Sequence, residues 1–158
     1  MSLPHRLDRT IVIDAAPQIV FSFFTDSERW ALWWGPGSTI DPMAGGKVYI
    51  RHPDGTESGG EVLEVQPPER LVFSYGFASG KPIPPGRSRV TIALEPAGYA
   101  TRLRLTHEFA EQAVRDEHVQ GWRFQLSLFA NAVTNLANAK AQDTVDAWFD
   151  AWAEPDST

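Results

Sequence analysis

Glu61, Tyr75 and His107 are the residues whose types and placement suggest proton chemistry. Each lies in a stretch of alternating hydrophobicity: Glu61 keeps phase with Leu63 and Val65, Tyr75 with Phe73 and Phe77, and His107 with Leu103 and Leu105. A polar group on an apolar face needs a partner. A few convergent polar groups in an apolar pocket are the usual signature of a small-molecule site. A histidine so placed acts as a donor or a mild base, its unperturbed pKa being about 6.5. The structural alternative is that Glu61 and His107 sit at strand ends and reach water, or satisfy each other.

The second chemical feature is aromatic. Trp30, Trp33 and Trp34, three of the six tryptophans, fall within one short stretch, ERWALWWGPG. Each ring buries on the order of 150–250 Å² and offers one N–H donor. Such a stripe either lids a hydrophobic core or walls a ligand pocket. Trp34 is the best candidate for the pocket, because the following Gly35 permits close backbone approach. Trp122, Leu126 and Phe129 form a matching apolar stripe further along, and Gly121 beside them suggests close helix–sheet packing. Enzyme signatures are poor. The histidines His5, His52, His107 and His118 lack H-x-x-H spacing, and there is no cysteine, G-x-S-x-G, P-loop or G-x-G-x-x-G. No catalytic residue, metal ligand or cofactor is assigned.

The elements that must position these residues follow from periodicity. HRLDRTIVID (5–14) reads as a strand. Pro17 suits the first turn of a helix whose apolar stripe is Ile19, Val20, Phe23 and Phe24. TDSE (25–28) is a capping-box pattern, with Thr25 as cap and Glu28 reaching back. The tryptophan helix follows and ends at Gly35-Pro36. Period-two segments then cover 45–52, 60–66, 67–77, 88–95 and 101–109, as in an antiparallel meander with one wet face. The Pro- and Gly-rich 78–87 connection forms a rim. Trp122, Leu126, Phe129, Val133 and Leu136 restore the helical period over 111–137. A one-faced sheet followed by a long amphipathic helix gives an α+β domain with the helix laid across the sheet.

The chain has 158 residues, a net charge of −6 and no cysteine. That length suits one domain with a substantial core. The acidic balance argues against a nucleic-acid partner. No apolar run approaches the roughly 20 residues that span a bilayer, and MSLPHRLDRT lacks the apolar stretch of a signal peptide. A cytoplasmic location is expected. Residues 1–138 are assigned to the domain and 139–158 to an amphipathic helical extension. In the extension Val145, Trp148, Phe149 and Trp152 share a face, which suggests a homodimer contact. An unbroken helix from 111 to 152 would be about 60 Å long, so a break is expected near 138–143.

WWGPG (33–37), GG (45–46), GEVLEVQPPERLVFSY (60–75), TRLRLTHEF (101–109) and GW (121–122) resemble, in order and spacing, the activator of Hsp90 ATPase homologue-like family. That family belongs to the START and Bet v 1-like (SRPBCC) helix-grip superfamily. The resemblance implies two short helices after the first strand and a curved antiparallel sheet wrapped around a long C-terminal helix, enclosing a cavity. On this basis Trp34, Glu61, Phe73, Tyr75, His107, Trp122, Leu126 and Phe129 are expected to line the cavity. The expected ligand is a small apolar or amphipathic molecule. Two alternatives accompany this reading. One is a polyketide cyclase or aromatase-like enzyme, with Tyr75, His107 and Glu61 handling protons. The other is a co-chaperone-like protein-interaction module, which the family name alone suggests.

Overall fold

The computed structural model describes residues 2–153, and the side chains of residues 2–139. Strand β1 (His5–Ile13) is followed by two short helices, α1 (Pro17–Ser22) and α2 (Ser27–Trp34). Six strands follow: β2 (Thr39–Ile40), β3 (Lys47–Arg51), β4 (Glu57–Gln66), β5 (Arg70–Phe77), β6 (Ser88–Ala97) and β7 (Ala100–Phe109). Helix α3 (Gln112–Ala153) closes the described chain. The strands form one curved antiparallel sheet in the order β1-β7-β6-β5-β4-β3-β2. The first strand therefore returns to pair with the last, and every other neighbour is sequential. This is the expected helix-grip architecture of the α+β class.

Local chemistry explains the elements that carry the tryptophans. Pro17 opens α1, as expected. The cap of α2 is Asp26 and not Thr25: its Oδ1 accepts from the amides of Glu28 at 2.9 Å and Arg29 at 3.3 Å. A carboxylate satisfies two orphan N–H groups and complements the helix dipole, so it outcompetes the neighbouring hydroxyl. Gly35 ends the helix at φ 150°, and a Cβ there would overlap the Arg51 carbonyl oxygen. The glycine thus lets α2 dock edge-on against β3.

The core is an aromatic wedge between sheet and helix. Trp30 and Trp33 are fully buried, and their indole N–H groups donate to the carbonyls of Tyr49 and Phe23, each at 3.3 Å. Phe129 of α3 stacks flat on Phe24 with centroids 5.1 Å apart and meets Trp33 edge-on at 4.8 Å. Gln125 of α3 donates from Nε2 to the carbonyl of Trp33. These contacts fix both the height and the rotation of α3 over the sheet.

Two further expectations are corrected. The pairing between β4 and β5 slips at Leu63, because Val62 faces Phe73 while Glu64 faces Val72. This bulge reverses the inside–outside phase. Val62 is buried, whereas Glu61 is exposed on the outer face opposite Lys47. Secondly, α3 runs without the break expected near 138–143. No glycine or proline occurs between Trp122 and Glu154, so nothing interrupts the backbone ladder. The 42-residue helix is about 63 Å long. Among the described residues, the last one packed on the core is Ala137. The side chains of Val145, Trp148, Phe149 and Trp152 lie outside the described residues. No helix of the described residues is long and apolar enough to cross a membrane.

Two outcomes follow from this packing. Phe129→Ala should destabilise the fold by about 3–5 kcal/mol, the range for losing a fully buried phenylalanine, as measured by denaturant unfolding. Deleting residues 141–158 removes the helical extension while keeping every described residue packed on the core, the last being Ala137. The same truncation, followed by light scattering, tests the homodimer contact: a dimeric parent should become a monomer.

Candidate functional site

The wedge fills the centre of the grip, and the open space lies at one end. A pocket of about 620 Å³ opens between α3 and the β3–β4 loop. Trp34 at the end of α2 and Tyr75 of β5 contribute its walls, together with His52 from the loop. Helix α3 contributes His118, Gly121 and Trp122, with Phe124 and Leu128 at the mouth. The loop is fixed by its own hydrogen bonds. The His52 amide donates to the Thr56 carbonyl at 2.8 Å, and the Gly55 amide to the His52 carbonyl at 2.9 Å. Asp54 Oδ1 accepts from the Thr56 amide at 2.9 Å.

Of the eight cavity residues expected from sequence, Trp34, Tyr75 and Trp122 line this pocket. Phe73, Leu126 and Phe129 lie beneath it in the solid core. Glu61 is on the opposite face of the sheet, for the reason given by the bulge. His107 is fully buried behind Trp122. Its Nδ1 accepts from Trp122 Nε1 at 2.9 Å, and its Nε2 lies 2.8 Å from Ser88 Oγ. An indole nitrogen can only donate, so Nδ1 carries no proton and Nε2 donates to Ser88. The Ser88 hydroxyl in turn donates to the Tyr75 carbonyl at 2.7 Å. Burial, and to a smaller degree the charge of His118, holds this imidazole well below its usual pKa. His107 is therefore a neutral bracket that orients Trp122. The trio of Tyr75, His107 and Glu61 required for proton handling is not assembled around one cavity.

The polar groups that do face the pocket are different ones. His118 donates from Nδ1 to the Val114 carbonyl at 2.8 Å, which leaves Nε2 as an acceptor in the neutral ring. Partial burial lowers the pKa of both His118 and His52. His52 Nε2 lies 2.9 Å from Ser58 Oγ. The Tyr75 phenol is pushed up to about 12 by burial, partly offset by a hydrogen bond with Ser58. Trp34 Nε1 is buried without a hydrogen-bond partner. Leaving such a donor unpaired costs about 1–3 kcal/mol. Among the described residues, no group of three His, Asp or Glu side chains is placed to hold a metal ion.

One helical face was hidden from the sequence reading. Glu117, Gly121, Phe124 and Leu128 recur at spacings of four, three and four on α3, and all line the pocket. The stronger Trp122–Leu126–Phe129 stripe masked them. The available signal was Phe124 and Leu128, apolar residues off the core face. Gly121 also has a different role from the one expected. A Cβ added there meets nothing within 4 Å, so the glycine faces open space and not the sheet.

A family model described as "Activator of Hsp90 ATPase homolog 1-like protein" matches residues 14–134. The chain belongs to this family. The match covers both the wedge and the pocket. Solved structures share the fold. Protein MLL2253 from Mesorhizobium loti superposes with a TM-score of 0.71 at 20% identity, covering 83% of this chain and 98% of that one. CalU16 from Micromonospora echinospora gives 0.66 at 24% identity, covering 90% and 85%. Protein CV1439 from Chromobacterium violaceum gives 0.68 at 25% identity, covering 83% and 98%. No curated protein matches the chain significantly.

The neutral bracket gives this family member a definite pH dependence. Unfolded His107 gains a proton near pH 6.5, and the folded one resists it. The unfolded state therefore binds more protons below that pH, and stability falls on acidification, by about 1.4 kcal/mol per pH unit for one such group. His52 and His118 act in the same direction. His107→Gln keeps an acceptor for Trp122 but cannot titrate. Unfolding midpoints measured from neutral to mildly acidic pH should fall less steeply in this variant than in the parent.

Proposed function

We propose that this chain binds a small apolar or amphipathic molecule in the pocket between α3 and the β3–β4 loop. The observation that carries this reading is Gly121. A glycine inside a helix costs about 1 kcal/mol relative to alanine. Here no packing contact accounts for it, because a side chain at this position would project into free space bordered by Trp34, Trp122 and Tyr75. Among the α3 residues that line the pocket, Gly121 is the one without a side chain. The volume, about 620 Å³, is in the range of small-molecule sites, which are mainly apolar with a few placed polar groups. Tyr75 and the His118 imidazole are among those groups. The ligand's body would lie against the indole rings.

Gly121→Ala should raise stability by roughly 0.5–1 kcal/mol. Gly121→Leu should leave the protein folded but occupy the pocket. Native mass spectrometry of gently purified parent protein should show an adduct that is lost on denaturation and is missing from the leucine variant. A leucine variant that retains the same adduct would place the ligand elsewhere.

A further inference from the structure

We propose that the pocket selects an organic cation, a protonated or quaternary ammonium group carried on an apolar, ring-sized body. The inference rests on the small-molecule reading above and specifies its chemistry. The charged residues of the lining are Asp54 and Glu117, with no lysine or arginine. Neither carboxylate forms an ion pair among the described residues, although six such pairs occur elsewhere on the surface. Asp54 is held ionised by the hydrogen bond from the Thr56 amide, which keeps its carboxyl below the ordinary range.

The two lining histidines add no positive charge to offset them. His52 is engaged with Ser58, His118 donates to the Val114 carbonyl, and partial burial disfavours the protonated form of each. The inner wall presents aromatic rings: Trp34 meets Trp122 with centroids 5.6 Å apart, and His52 at 5.9 Å. Indole faces attract a cation through their quadrupole, most strongly when it is desolvated. A carboxylate ligand would instead approach two like charges and a ring face of the wrong sign. The net charge of −6 extends the same preference to longer range.

The test uses three matched probes at neutral pH: naphthylmethylamine, naphthylmethanol and naphthoate. They share one ring system and differ in charge. Binding to the isotope-labelled full chain is followed through the indole N–H resonances of Trp34 and Trp122. The amine should bind about tenfold more tightly than the naphthoate, with the alcohol between them. The Asp54→Asn/Glu117→Gln double variant, altered only at exposed rim positions, should shrink that difference by weakening the amine and strengthening the naphthoate. If the alcohol shifts both indoles but naphthoate binds as well as the amine, the pocket reading survives and the charge selection is wrong. If none of the probes moves either resonance, both fail together.

Discussion

The contact of Phe129 with Phe24 and Trp33 fixes how far α3 stands from the sheet, and the other features of the molecule depend on that distance. Flat stacking on one ring and edge-on contact with another leaves little freedom for a helix carrying the third. With the centre of the grip filled by rings, remaining space is pushed to one end, where the loop at 52–56 faces the stretch 117–128 of α3. The tryptophan helix thus serves two purposes along its length. Trp30 and Trp33 are core, and Trp34, one residue further, is wall.

The pocket wall is braced from behind by polar groups inside the core. Trp122 is held by His107, His107 by Ser88, and Ser88 by the Tyr75 backbone. Every donor in this network has an acceptor, so the buried imidazole carries no unpaired polar atom. The orientation of Trp122 is therefore set by a network that a ligand need not touch. Trp34 contrasts with it, because its buried indole donor is left without a partner.

Much of the fold was legible because periodicity and turn chemistry are local. The strands, the two short helices, the long helix and the family resemblance all follow from patterns a few residues wide. The site was legible only where a residue's neighbours kept the same period. Tyr75, Trp34 and Trp122 satisfy that condition. Glu61 does not, since one extra residue in β4 reverses the phase between it and Val65. His107 was correctly placed on the inner face, but its partners come from residues 15 and 19 positions away in sequence. Nothing local distinguishes a histidine with both nitrogens engaged from one with a free nitrogen.

The sequence by itself determined the class of this protein, the identity of its core and its acidic character, because burial of apolar periods and the sum of charges do not depend on long-range geometry. Only the tertiary structure decided which aromatic residues are wall and which are filler, that Gly121 borders space and not backbone, and that Asp54 and Glu117 share one rim. These are statements about distances between elements. Such distances are set by the volumes of side chains meeting across the core, which no single segment encodes.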